Sequence, residues 1–366
     1  EHAVVNGVRN AGSVVLDGGI DAGGEGAGTA GYAAGAGAGA GGSIRIDAPS
    51  IRGAGTIAAD GGAAAAASAG ETAPGTGGGG RIAIIYNDLS AFDPARIHAR
   101  GGAISGGPAR PLSHGGAGTV LLRKTTQALG TLVIENGGLE QSRPRTVLPS
   151  AGEGTVQALT DTTITRAEGP FPGAPYDLVG LRIDPDIDDG DPASFEILAQ
   201  DGAVITTAPG LLAKASVGSR FRDVIVLEGI RISARGSVET AGAVRLEGAG
   251  TGTDGRELAL SGGGLRAASL DLVSKTDLRL ENTVLSVEDL KTDAGRLGSI
   301  HLLLGSTAGL AGGMDAQSLT LEASGLITGG PILADSVTLK HSVLTVPDPD
   351  ALTFHPLVLE VEGTIT

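Results

Sequence analysis

The chain has no cysteine and no tryptophan, and only five phenylalanines and three tyrosines among its 366 residues. Without cysteine there is no disulfide framework, no thiolate metal site and no thiol nucleophile. With so few aromatic side chains, the thick layers of an α/β enzyme are hard to fill. The plentiful Val, Ile and Leu suit thin, strand-built cores instead. Basic residues are scarce as well: 26 Lys and Arg stand against 41 Asp and Glu, a net charge of −15. That balance argues against nucleic acid and anionic membranes as partners. No apolar run approaches the ~18 residues that span a bilayer, so no membrane insertion is expected. The alanine run 63–67 is short and flanked by glycine. The first residue is Glu1 and not Met, as expected of a processed product or a piece of a longer protein.

What is abundant is glycine. There are 63 glycines and 17 prolines, close to low-complexity composition, yet the mean hydropathy is positive at +0.16, which disfavours wholesale disorder. The glycines are organised in repeats. Gly42-Ser43-Ile44-Arg45-Ile46 recurs as Gly80-Arg81-Ile82-Ala83-Ile84 and as Gly118-Thr119-Val120-Leu121-Leu122. Ile44 and Ile82 lie 38 residues apart, as do Ile82 and Val120. Ile57, Ile97 and Val133 each stand four residues before a glycine pair, and Ile20 with Gly23-Gly24 looks like a shortened copy. Each unit reads as strand, turn, strand and a glycine-rich excursion, at 22–42, 63–80 and 103–118. Loops that long are rarely tolerated without structure of their own; glycine permits them to stack closely in an array, and a flexible surface loop is the other reading of such a composition. The alternation Gly35-Ala36-Gly37-Ala38-Gly39-Ala40-Gly41 predicts alanine on one side and glycine on the other of an extended segment.

From about Arg222 the pattern changes to short alternating strands centred on positions 226, 244, 258, 278, 300, 319, 337 and 357, with a mean step near 19 residues. That period fits one coil of a parallel β-solenoid; a large antiparallel sandwich is the other reading. The stretch between the two arrays has no period and holds eight of the 17 prolines. Strands are expected there over 155–165, 177–183, 194–198 and 203–207. The fold class expected is therefore all-β: a parallel β-solenoid (β-helix) with Gly-rich loops and a small inserted β domain. Its parts are a Gly-rich tandem-repeat solenoid over 1–140, a small Pro-rich β domain or insertion over 141–220, and a solenoid of about 19-residue coils over 221–366.

One dense carboxylate cluster stands out, Asp184-Pro185-Asp186-Ile187-Asp188-Asp189-Gly190-Asp191. Its default reading is a solvated acidic turn. The alternative is a calcium site with Asp184, Asp186, Asp188 and Asp191 as oxygen ligands, although the glycine falls one place later than in an EF-hand loop. Ca2+ is the one cofactor for which the sequence offers candidate ligands. The window Gly23-Gly24-Glu25-Gly26-Ala27-Gly28 satisfies a loose nucleotide fingerprint, but no helix and no Walker lysine follow it. The six histidines form no zinc-type pair and there is no Gly-x-Ser-x-Gly elbow; all six read as surface residues, with His98 and His301 facing solvent from strands.

The segments Gly77-Gly78-Gly79-Gly80-Arg81-Ile82-Ala83-Ile84, 97–102 and Gly115-Gly116-Ala117-Gly118-Thr119-Val120-Leu121-Leu122 resemble repeats of very large secreted bacterial adhesin-like (filamentous-haemagglutinin-like) cell-surface proteins. The resemblance covers about 100 residues well and the later coils only in general pattern. It implies an extracellular, non-catalytic β-solenoid with a structural or adhesive role. The expected partners are further copies or neighbouring segments of the same protein and an unidentified surface receptor. The alternative is a carbohydrate-active β-helix lyase or glycosidase, which needs paired carboxylates or a calcium and arginine site in a groove. An ice- or mineral-binding solenoid would need regular threonine ladders, and the threonines are irregularly spaced.

Overall fold

A computed structural model describes residues 5–9, 12–27, 37–65, 75–105, 114–139, 146–172, 178–189, 191, 193–247, 256–272, 276–281, 283–292, 297–310, 314–328, 332–345 and 352–365. The described chain is all-β, with no helix of seven or more residues and with extensive parallel sheet.

The 38-residue repeat sets the register of the first part. Strand Ser43–Arg52 pairs in parallel with Arg81–Asp88, which pairs in parallel with Thr119–Lys124, so that Ile44, Ile82 and Val120 stand side by side. Ile20, Ile57 and Ile97 line up in a second parallel ladder, Gly19–Asp21, Thr56–Ala58 and Ile97–His98. A third, short ladder pairs Ala64–Ala65 with Ile104–Ser105. Ile44, Ile46, Ile57, Ile82, Ile84 and Ile97 are buried together in one cluster. Alternation along each strand sends the apolar residues to one face, and stacking equivalent rungs makes that face continuous.

Between the ladders the glycine segments pack on one another, the stacked of the two readings, but with a different period. Their backbone hydrogen bonds recur every third residue. Gly24 and Ala27 donate to Asp60 and Ala63, Gly39 and Gly42 to Glu25 and Ala22, and Gly77 and Gly80 to Gly62 and Ala59. Three residues per turn, with every bond made to a neighbouring segment, is the habit of a polyproline II-type chain. A period-two strand would alternate, so the predicted separation into an alanine side and a glycine side does not hold over 37–41. Residues 28–36 lie outside the described residues. The continuous bond path ends at Asn136, which is fully buried: Gly101 N–H donates to its Oδ1 at 2.8 Å, and its Nδ2 donates to Gly115 O at 3.3 Å.

Val133 departs from the repeat. It pairs antiparallel with Val120, within a hairpin of Thr119–Lys124 and Thr131–Glu135. Strand Thr131–Glu135 then pairs in parallel with Gly229–Ser233. Its side chains serve two cores: Val133 packs on the first cluster, while Leu132 and Ile134 join a second with Ile230 and Ile232. The hairpin therefore reverses strand direction and moves the core to the opposite face of the same sheet.

The second cluster extends through the C-terminal part. One parallel ladder runs through Arg256–Ser261, Thr276–Glu281, Leu297–Leu303, Met314–Glu322, Ile332–Thr345 and Leu352–Ile365. Leu278, Ile300, Leu319 and Val337 stand in register along it and are buried. A neighbouring ladder aligns Leu265, Leu285, Ala308, Leu326 and Leu344. Spacing alone fails at three steps. Val244 pairs with Ile225 and not with Val226, one residue out of register. On its other side Val244 pairs with Leu270, so 244 and 258 belong to different ladders. Past a bulge, Val337 pairs with Leu359, so 357 is two residues out of register. A mean period cannot distinguish ladders whose strands interleave in sequence. Where successive rungs turn a corner, Ser306 and Ser342 are buried and accept the backbone N–H of Thr283 (3.3 Å) and Ser324 (3.2 Å).

Residues 153–227 contain six strands whose antiparallel pairings form a closed circuit: Glu153–Leu159, Thr163–Arg166, Val204–Thr207, Phe195–Asp201, Arg182–Asp184, Arg220–Leu227 and back to the first. Each contributes one fully buried side chain to a third cluster: Val156, Ile164, Ile205, Ile197, Ile183 and Phe221. The predicted strand 155–165 is two strands, and the predicted 177–183 is represented by Arg182–Asp184, with 177 outside the described residues.

Candidate functional site

The densest polar chemistry lies where this circuit meets the parallel ladders. Strand Arg220–Leu227 belongs to both: it pairs antiparallel with Glu153–Leu159 and Arg182–Asp184, and in parallel with Ala243–Leu246. On one of its faces Arg222 stands opposite Glu153 on one neighbour and Asp184 on the other. Glu153 Oε2 accepts from Arg222 Nη2 at 2.7 Å, and its Oε1 accepts from Arg220. Further along this face Arg245 Nη2 reaches Asp271 at 3.4 Å, and Arg182 Nε donates to Ser194 Oγ at 2.9 Å. On the other face is Asp223, whose side chain is fully buried.

The acidic run 184–191 borders this network, and its carboxylates are dispersed over separate partners. Asp184, Asp186, Asp189 and Asp191 each accept the backbone N–H two residues on. In addition, Asp186 accepts from Ser219 Oγ at 2.7 Å, Asp188 pairs with Arg220 at 3.1 Å, and Asp191 pairs with Lys214. The four candidate calcium ligands are thus neighbours in sequence that turn their oxygens to different groups. Among the described residues no set of three or more acidic or histidine side chains converges on one point.

These carboxylates titrate in opposite directions. Burial raises Glu153, but hydrogen bonds from Arg220 and Arg222 outweigh it and hold the group below its usual range. Its contribution to stability is present above the ordinary glutamate pKa and is lost as pH falls through the lowered value. Burial pushes Asp184 and Asp223 up to about 6. Their contributions are complete below the ordinary aspartate pKa and are lost as pH rises through about 6. The chain should therefore be more stable to urea at pH 5 than at pH 7.5. Glu153→Gln should cost about 1–2 kcal/mol at pH 7 and flatten the acid limb; equal unfolding midpoints at the two pH values would contradict the assignment.

Other depressions are lined by described residues elsewhere. A groove of about 840 Å³ crosses successive rungs past Val147, Glu239, Arg266, Ser286, Gly309 and Ile327. Its one carboxylate, Glu239, pairs with Arg266 at 3.5 Å. A pocket of about 320 Å³ is lined by Tyr86, Asp88, Lys124 and Arg231 among others. The histidines are scattered. His98 is more covered than predicted, its side chain 14% exposed and its Nδ1 2.9 Å from Asp60 Oδ1, whereas His341 is exposed at a corner. His2 lies outside the described residues.

Sequence reasoning passed over Asp223, Asn136 and the Glu153–Arg222 pair. Gly101 lies 35 residues from Asn136, Arg222 lies 69 from Glu153 and Ser150 lies 73 from Asp223, so no local motif marks these contacts. No protein-family model, curated protein or solved structure matches the chain. No helix among the described residues is long and apolar enough to cross a membrane.

Proposed function

We propose that the chain is a parallel β-solenoid carrying a small inserted β domain, and that it serves as a non-catalytic structural or adhesive segment of a bacterial extracellular surface protein or fibre. The observation that carries this reading is the repeated parallel register, from Ile44–Ile82–Val120 at one end to Leu278–Ile300–Leu319–Val337 at the other. A stack of this kind is stabilised rung by rung and grows by roughly 4.8 Å per rung, which suits an extended stalk. Neighbouring segments or copies and a surface receptor are its partners in this reading. A bound calcium, if it belongs to the fibre, would sit in the acidic turn.

Negative-stain electron microscopy of the purified chain, with calcium and then with a chelator, tests the proposal. Uniform rods or filaments are expected. Compact particles with no long axis would refute the solenoid reading, and rods that fall apart on chelation would assign the 184–191 turn a structural ion. The second reading is a carbohydrate-active enzyme acting in the groove past Glu239 and Arg266, which holds one carboxylate where such chemistry uses a pair. Release of reducing ends from polysaccharides, abolished by Glu239→Gln, would establish that reading instead.

A further inference from the structure

We propose that Asp223 is a proton-operated latch at the joint between the closed antiparallel circuit and the parallel ladders: neutral, it keeps the joint shut, and ionised, it lets the joint open. The geometry isolates this carboxyl. Asp223 Oδ1 accepts from Ser150 Oγ at 2.6 Å and from Gly152 N–H at 2.9 Å, whereas Oδ2 is buried with no hydrogen-bond partner. Gly242, in the turn before Ala243–Leu246, lies directly against that oxygen: a Cβ there would overlap the carboxylate. Three separate segments, around Ser150, Asp223 and Gly242, thus close on one group.

The charged neighbours offset its burial only in part, through the charge of Arg222. Arg222 lies next in the strand, but alternation turns it to the opposite face, where it meets Glu153. Arg182 and Asp184 on the adjacent strand pair with Val224 and Arg222, and so lie on that same opposite face. Arg245 is engaged with Asp271, and Glu239, near Gly242, with Arg266. The residue paired with Asp223 on its own side is Ile183. A carboxylate with one oxygen unsolvated and no cation on its face is costly when charged, consistent with the upward shift that burial gives it.

The test is hydrogen exchange on the full chain at pH 5 and pH 8, corrected for the intrinsic rate and read in peptides covering 146–152 and 240–246. With Asp223 shifted to about 6 in the closed state and ordinary in the open one, the opening constant should be about tenfold larger at pH 8. Asp223→Asn keeps the shape and the acceptor for Ser150 and Gly152, and should make opening independent of pH across this range. Ser150→Ala removes a donor that favours the ionised form and should move the transition to higher pH. Equal protection of the wild type at both pH values would overturn the proposal, as would full pH dependence in Asp223→Asn. Should that variant not fold, an unmoved midpoint in Ser150→Ala would do so as well.

Discussion

Gly77→Ala is expected to disrupt the glycine bundle, while Gly75→Ala, two residues earlier, should be silent. A Cβ at Gly77 would sit on the carbonyl oxygen of Gly39, against backbone that cannot rotate away. Gly77 also donates to Gly62 and accepts from Gly102, so a shift of its segment breaks bonds on two sides. Overpacking of a side-chain core costs typically 1–3 kcal/mol. Here the obstruction is main chain and hydrogen bonds are lost with it, so a loss on the order of 3 kcal/mol or more is expected. At Gly75 a Cβ would meet nothing within 4 Å and the backbone is not left-handed, so the change should stay within about 0.5 kcal/mol. Urea denaturation of the two variants decides between a packed bundle and a loose loop. Equal midpoints would mean that the glycine segments do not stack.

Leu319→Asp should have the second large effect, set against Thr320→Asp beside it. Leu319 is 1% exposed between Ile300 and Val337 on adjacent rungs. An aspartate there loses the transfer free energy of the leucine, about 2–3 kcal/mol, and must ionise without a partner or take up a proton. A loss of about 4 kcal/mol or more follows, and limited proteolysis should open the chain near the mutated rung. Thr320 is half-buried on the opposite face, beside His301 and Thr338, and its replacement should cost less than about 1 kcal/mol. A similar penalty at both positions would show that the alternation assigned to this strand is wrong.

Much of the architecture is legible in the amino-acid order because it is repetitive. Ile44, Ile82 and Val120 can be aligned by spacing alone, and the structure pairs those same residues. Spacing failed where one ladder is interrupted by strands of another, as between Val244 and Leu270, and where the chain reverses, at Val133. The glycine period was misjudged for a related reason: a Gly-Ala alternation suggests a strand, but segments that bond on several sides adopt the threefold polyproline II-type habit. The candidate site was less legible. The sequence drew attention to the run 184–191, whose oxygens are dispersed, and passed over Asp223, an isolated acid with no motif around it.

The sequence by itself determined an all-β chain with two repetitive parts, because periodic burial along a stack must be written as periodic apolar residues. Only the tertiary structure decided which strands share a ladder, where the core changes faces, and how the acids of the joint titrate. Those features depend on residues tens of positions apart being brought within 3 Å, as Ser150 is to Asp223 at 2.6 Å. Burial, which shifts a carboxyl's proton affinity, is a property of the assembled fold and has no local signature in the chain.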